Sequence, residues 1–190
     1  MSLLRLEHGK LAYRADFALY TAAVPALAAY LMWAAPRAYG WSALLWVMAG
    51  LIGWTAIEYV LHRFVLHGLQ PFRAWHEAHH DRPMALICAP TVFSAGLIVV
   101  LVFLPAWLIG DLWCACSLTL GLLGGYLAYA VTHHAAHHWR AEGAWLQGRK
   151  RWHALHHHAH HACCYGVTSS LWDHVFGSAR RVGRAQSASL

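Results

Sequence analysis

The sequence predicts an all-α integral membrane protein with four transmembrane helices in two hairpins and a cytosolic helical cap. Three observations lead to this fold class. Of the 190 residues, 59% are hydrophobic and only 12% are charged, about half the charged share of a soluble domain. The basic residues are concentrated in alternate links. Four runs contain no Asp, Glu, Lys or Arg, namely 17–35, 38–57, 84–110 and 112–132.

Each of the four runs is long enough to cross a bilayer, because they contain 19, 20, 27 and 21 residues and a transmembrane helix needs about 20. Buried helices of a water-soluble bundle would show a polar stripe every 3.6 residues, and these runs do not. We expect the first run to be a retained helix rather than a signal peptide, since no convincing small-residue cleavage site follows it. The third run exceeds one upright span, so its first residues should lie in the interface or be broken at Pro90.

The link between the third and fourth runs, around Gly110 and Asp111, is a short turn, so the runs should pair as two hairpins. Thirteen of the 14 Lys and Arg residues lie before run one, between runs two and three, or after run four, and only Arg37 lies elsewhere. Cytoplasmic loops carry this excess of basic residues. Both termini are therefore predicted to be cytoplasmic. The same bias explains the net charge of +6, so no nucleic-acid partner is predicted.

The 17 histidines all lie outside the four runs. Two trios have the spacing i, i+3, i+4, which places each trio on one helical face. One pair has the spacing i, i+4 directly after the fourth run. His62 and His67 are spaced i, i+5, so the second helix must end or distort if both are to point inward. The ten residues are His62 and His67; His76, His79 and His80; His133 and His137; and His153, His156 and His157.

Ten imidazoles on segments that meet at one membrane face indicate a metal centre. Neutral imidazole is a ligand for iron, copper, nickel and zinc. A single structural zinc takes four ligands, whereas two metal ions with five ligands each would use all ten. The five cysteines give no disulfide framework, being odd in number, and Cys163 and Cys164 are adjacent. We do not expect these two to bind the metal.

The sequence around these histidines resembles the fatty acid hydroxylase/sterol desaturase superfamily. The segments HRFVLH at 62–67, HEAHH at 76–80, THHAAHH at 132–138, HALHH at 153–157 and GVTSSLWDHVFG at 166–177 carry the resemblance. The last of them is most similar to the fatty acid 2-hydroxylase branch. The resemblance extends over about 58–178, within what we expect to be one membrane domain at 1–190.

The resemblance implies two non-haem iron ions beneath a cytosolic cap, where dioxygen is used to hydroxylate a lipid chain; zinc is possible in purified protein. It assigns the role of metal ligand to the ten histidines above. His138 and His160 are the alternatives if a neighbouring histidine is the ligand instead. Glu58 can accept a hydrogen bond from the second ring nitrogen of His62, or it can simply be hydrated at the end of a helix. Asp173 can accept a hydrogen bond from a histidine of the fourth segment in the same way. Alternatively, it can cap a helix locally or form a salt bridge with Arg180 or Arg181.

The sequence shows no fused cytochrome domain and no flavin or nicotinamide motif, so a separate electron donor is expected, either a cytochrome b-type protein or a ferredoxin with its reductase. We predict hydroxylation of a fatty acid or acyl lipid near its carbonyl end. The enzyme alternatives are a carotenoid ring hydroxylase and a sterol or lipid desaturase. A membrane metal-binding or transport protein is the non-enzyme alternative, although a transporter needs ionisable residues within its spans and none occurs there.

Overall fold

The computed structural model describes residues 9–86, 91–158 and 163–179, and no strand occurs within them. Eight α-helices account for most of these residues. They are α1 (Lys10–Ala34), α2 (Gly40–Val60), α3 (Phe72–Asp81), α4 (Thr91–Ile98), α5 (Leu104–Ile109), α6 (Leu112–His138), α7 (Ala144–His158) and α8 (Leu171–Val175). A 3-10 turn precedes α2 at Arg37–Tyr39, and two π-helical turns, Leu61–Leu66 and Val99–Phe103, follow α2 and α4.

Within the described residues, four helical segments are long and apolar enough to cross a membrane, which confirms the predicted number of spans. They are Lys10–Ala34, Arg37–Leu66, Thr91–Ile109 and Leu112–His138. The third span begins only at Thr91, so the start of the predicted run at 84–86 is not helical, while Pro90 lies outside the described residues. Pro105 lies at the start of α5, directly after the π-turn Val99–Phe103, and such turns occur where the regular hydrogen-bond ladder of a helix is interrupted.

The short turn predicted between the third and fourth spans is present, since Gly110–Asp111 connects α5 to α6, and residues 35–39 connect α1 to α2. Asp111 caps α6 by accepting a hydrogen bond from the backbone N–H of Cys114 at 2.7 Å, the usual role of an N-terminal aspartate. The most extensive helix contact is between α2 and α6, and α6 also contacts α1 and α5. The fourth span therefore lies at the centre of the bundle.

Glycines allow α2 and α6 to approach closely. A Cβ atom added to Gly50 would lie 2.7 Å from the backbone nitrogen of Leu122, and one added to Gly125 would lie 2.5 Å from Cβ of Trp54. Gly121 faces the backbone of Val47 in the same way. These glycines pack helices together, as membrane interfaces commonly require.

Large apolar side chains cover the outside of the spans. Met32, Leu108 and Ile109 are each more than 80% exposed, and α4 and α5 have no buried residue. An apolar surface of this extent needs a nonpolar surrounding, which identifies an integral membrane protein. The shorter helices α3, α7 and α8 gather where α2 and α6 end, since α3 contacts the π-turn, α7 contacts α6 and α8 contacts α2. This end carries the histidines.

Candidate metal centre

Five histidines converge at the end of α2, and we call them group one. Their facing ring nitrogens all lie within 4.8 Å of one another. The Nε2 atom of His76 lies 2.9 Å from Nε2 of His62 and 3.1 Å from Nε2 of His80. The Nε2 atom of His156 lies 3.0 Å from that of His67 and 3.1 Å from that of His80. Group one therefore consists of His62, His67, His76, His80 and His156.

Four further histidines form group two, which is His79, His133, His137 and His153. Their facing nitrogens also lie within 4.8 Å of one another. The Nε2 atoms of His137 and His153 are 2.7 Å apart, and His157 adds its own Nε2 at 3.1 Å from that of His153. All ten histidines singled out in the sequence are thus brought together, nine in the two groups and His157 at the edge of group two.

A π-helical turn brings His62 and His67, which are five residues apart, to the same side of the second span. The last turns of the second span are wound as a π-helix over Leu61–Leu66, and the backbone N–H of His67 donates to the carbonyl of His62 at 3.2 Å. This i to i+5 hydrogen bond brings residues five apart onto the same side. The predicted distortion is therefore confirmed, and both rings enter group one.

The two short helices each contribute to both groups. On α3, His76 and His80 belong to group one while His79, between them, belongs to group two. On α7, His156 belongs to group one and His153 to group two. The rings of His80 and His157 stack across the boundary with centroids 4.1 Å apart. The two groups are therefore neighbours, and a shift of either helix would alter both.

Burial keeps the imidazoles outside the spans neutral. Desolvation, reinforced by the neighbouring imidazoles, lowers the pKa of His79 and His156 to about 3 and that of His157 to about 2. Desolvation also lowers the pKa of His67 to about 4 and that of His76 well below its usual range. A neutral imidazole has one N–H and one lone pair, so each ring can offer a lone pair to a metal at pH 7.

Backbone carbonyls fix which nitrogen carries the proton in two of these rings. Nδ1 of His62 lies 2.5 Å from the carbonyl oxygen of Tyr165, and Nδ1 of His156 lies 2.8 Å from that of Cys163. A carbonyl only accepts, so Nδ1 must donate and Nε2 carries the lone pair. Metal-bound histidines commonly have this arrangement, with the second nitrogen donating to a carbonyl or carboxylate.

The residues therefore fit a pair of metal ions. In group one, the carbonyl partners of Nδ1 leave the lone pairs of His62 and His156 on Nε2, the atoms that converge with the other ring nitrogens. In group two, both nitrogens of His79 are buried without a hydrogen-bond partner, as are Nδ1 of His153 and of His157. Buried polar atoms without partners are rare. A cation at each group would accept lone pairs from the converging ring nitrogens.

Glu58 and Asp173 hold the segment that orients His62. Asp173, fully buried, accepts from the backbone N–H groups of Tyr165 and Gly166, each at 2.9 Å, and from Oγ of Ser178 at 2.7 Å. Glu58, also buried, accepts from the backbone N–H groups at 167 and 168 and from the Thr168 hydroxyl. These carboxylates therefore hold the loop and do not contact a histidine ring.

Two expectations about these carboxylates were wrong in detail. Glu58 does not hold the His62 ring, because the Tyr165 carbonyl already takes Nδ1, and it does not solvate a helix end, because only 2% of it is exposed. Asp173 does not hold a histidine of the fourth segment, because its oxygens accept backbone N–H groups instead. The proposed partners Arg180 and Arg181 lie outside the described residues.

The alternative ligands have different outcomes. His138 lies outside both groups, with its ring stacked on His134 at 4.5 Å between centroids. His160 lies outside the described residues. Cys163 and Cys164 are buried and belong to neither group. The carbonyls of Cys163 and Tyr165 were missed, because a backbone oxygen leaves no signal in the residue types.

Comparisons with known proteins show the fold and the family of this chain. A 24% identical structure of full-length scs7p, in which only the hydroxylase domain is visible, superposes with a TM-score of 0.77 and covers 90% of this chain and 67% of that one. A dihydroceramide fatty acyl 2-hydroxylase of Arabidopsis thaliana is 33% identical over 64% of this chain and 54% of its own length. The human fatty acid 2-hydroxylase is 30% identical over 63% of this chain and 35% of its own length.

The chain matches about half the length, or less, of these curated relatives. The model of the family named fatty acid hydroxylase matches residues 47–178. That range contains the π-turn, every member of both histidine groups, and the loop held by Glu58 and Asp173. This protein belongs to the fatty acid hydroxylase family.

Proposed function

We propose that this protein hydroxylates the acyl chain of a membrane lipid near its carbonyl end, using dioxygen and two iron ions held by the ten histidines. The observation that carries the proposal is the convergence of ten imidazoles at the end of a membrane-spanning bundle, nine in two adjacent groups and His157 at the edge of the second. Family membership supports the reaction class. The relatives named for acting on a fatty acyl chain support an acyl lipid as the substrate.

The metal pair would supply the oxidising chemistry that a saturated C–H bond requires, because such a bond offers no charge for acid–base residues to stabilise. His62, His67, His76, His80 and His156 would hold one ion, and His79, His133, His137, His153 and His157 the other. The backbone carbonyls at 163 and 165 keep two of these rings in the ligating tautomer. The buried position of the centre keeps bulk water away from the reacting carbon.

We also propose that electrons come from a separate protein, a cytochrome b-type protein or a ferredoxin with its reductase. The sequence contains no glycine-rich dinucleotide motif, which supports an external donor. The basic residues support a cytoplasmic position for the histidine end and both termini, since 13 of the 14 lie in the links assigned to that side. A soluble donor would then reach the metal centre from the cytoplasm.

The decisive experiment combines metal analysis with lipid mass spectrometry. Purified protein should contain about two iron ions per chain, and in cells that express the gene, labelled dioxygen should add one labelled oxygen to an acyl chain. A loss of two hydrogens would instead indicate a desaturase, and label confined to a carotenoid ring would indicate a carotenoid hydroxylase. Metal without any oxidised lipid would favour a metal-binding or transport protein.

A further inference from the structure

A cavity of about 340 Å³ lies beside group two. Its wall includes His137, His153 and His157, so whatever occupies it faces the candidate metal centre directly. Lys150 and Arg151 line the cavity as well. The cavity thus joins two positive side chains to three of the proposed metal ligands, and no role has yet been given to these two cations.

The two cations have no carboxylate partner in the described part of the chain, where Arg73 and Glu77 form the only ion pair. Lys150 is held in place, because its Nζ donates to the carbonyl of Trp139 at 2.5 Å, at the end of α6. An ammonium group has three N–H donors, so two remain for a ligand. Uncompensated cations beside a cavity attract an anionic group and form charge-assisted hydrogen bonds with it.

The cavity also has an apolar side and lies at the depth where the spans end. Pro83 and Met84 line it ahead of the third span, and Ala136 lines it in the last turn of the fourth. Helix ends of this kind lie near the lipid head groups. A small concave site with apolar walls and a few polar groups suits a small ligand, whereas a docking protein would need a flat or protruding contact.

We propose that Lys150 and Arg151 form a head-group subsite that binds the carboxylate or phosphate of an anionic acyl lipid. The inference rests on the proposed function, because the lipid is the substrate of that reaction. With its head group on these cations, the first carbons of the chain face His137, His153 and His157. The subsite therefore selects anionic acyl lipids over neutral ones.

Binding to the purified full chain in nanodiscs of neutral phosphatidylcholine tests the inference without turnover. The probes are hexadecanoate, hexadecyl phosphate and the neutral hexadecanamide. We expect the K150Q/R151Q variant to bind the anionic probes about tenfold more weakly, as expected for losing partly screened charge contacts, and to bind hexadecanamide as the wild type does. Weakening for only one anion identifies whether the subsite takes a carboxylate or a phosphate.

The matched control is Arg140→Gln, since Arg140 is an exposed cation at the same end of the molecule that does not line the cavity. This variant should bind all three probes normally. Equal binding of hexadecanamide and hexadecanoate by the wild type would overturn the inference. It would also be overturned if the double variant bound all three probes normally and was altered only in its reduction by an acidic donor protein. Hydroxylation of a neutral acyl lipid in the same nanodiscs reports on the proposed function separately, so the two can fail independently.

Discussion

The carbonyl oxygens of Cys163 and Tyr165 decide which nitrogen of His156 and of His62 faces the other imidazoles. Because each carbonyl accepts from Nδ1, the lone pair lies on Nε2, where the rings converge. A side chain in place of a carbonyl could swing away, whereas a backbone oxygen moves only with its loop. The ligating tautomer therefore depends on how firmly that loop is held, and this role falls to Asp173.

Replacing His156 by Ala should remove metal from the protein, because Nε2 of His156 lies within 3.1 Å of two other ring nitrogens of group one. The spans do not need this ring, so the variant should still insert into the membrane. Metal per chain and hydroxylation are the measurements. His138→Ala is the matched control, since that histidine lies on α6 outside both groups; unchanged metal in His156→Ala together with loss in His138→Ala would show that the ligand assignment is out of register.

Asp173→Asn should weaken metal binding by about 10- to 100-fold, the usual effect of removing an outer partner of a metal ligand. The amide offers one acceptor oxygen where the carboxylate offers two, so one of the backbone N–H groups at 165 and 166 loses its partner. Competition with a graded chelator measures the affinity. Ser169→Ala, a change in the same loop that leaves these bonds in place, should retain wild-type affinity, and equal affinity in both variants would show that Asp173 acts only on folding.

At the scale of elements, the π-turn at Leu61–Leu66 sets the register between the second span and the metal centre. An α-helix advances 100° per residue, so regular winding would turn His62 and His67 apart. Inserting one Ala after Val65 makes the spacing of the two histidines i, i+6, which neither α-helical nor π-helical winding places on one side, so it should displace one of the two rings and abolish metal binding at group one. Val65→Ala keeps the chain length and should keep the metal. An insertion variant with full metal content would show that the π-turn is incidental.

Close packing of α2 and α6 gives a second prediction at this scale. Gly121→Ala places a methyl group against the backbone of Val47 and about 3.0 Å from the nitrogen of Leu51, and such overpacking costs about 1–3 kcal/mol. Gly53→Ala, on α2, meets nothing within 4 Å and should slightly stabilise the helix, since Ala is favoured over Gly there by about 0.5–1 kcal/mol. Thermal unfolding in detergent compares the two, and equal midpoints would contradict the packing account.

For the whole molecule, patterns of residue type predicted the four spans and the ten histidines because both depend on side chains that repeat along the chain. The i, i+5 spacing even required a distortion in the second span. The sequence did not predict that His79 would join group two while His76 and His80 join group one, since one helical face can contact two neighbours. Nor did it predict the carbonyls that hold His62 and His156, because every residue has a carbonyl and only the fold selects which one is used.

Sidedness is the last whole-molecule prediction, and it rests on the 13 basic residues in the links and termini assigned to one side against Arg37 on the other. Lys and Arg near the ends of spans are retained in the cytoplasm, so with four spans both termini and the histidine end should face it. Cysteines introduced as His8→Cys and Ala185→Cys into a chain without its native cysteines should resist a membrane-impermeant thiol reagent in intact cells and react after lysis. Arg37→Cys is the control and should react in intact cells. Labelling of one terminus alone before lysis would require an odd number of spans, and labelling of both would invert the orientation and place the metal centre outside the cytoplasm.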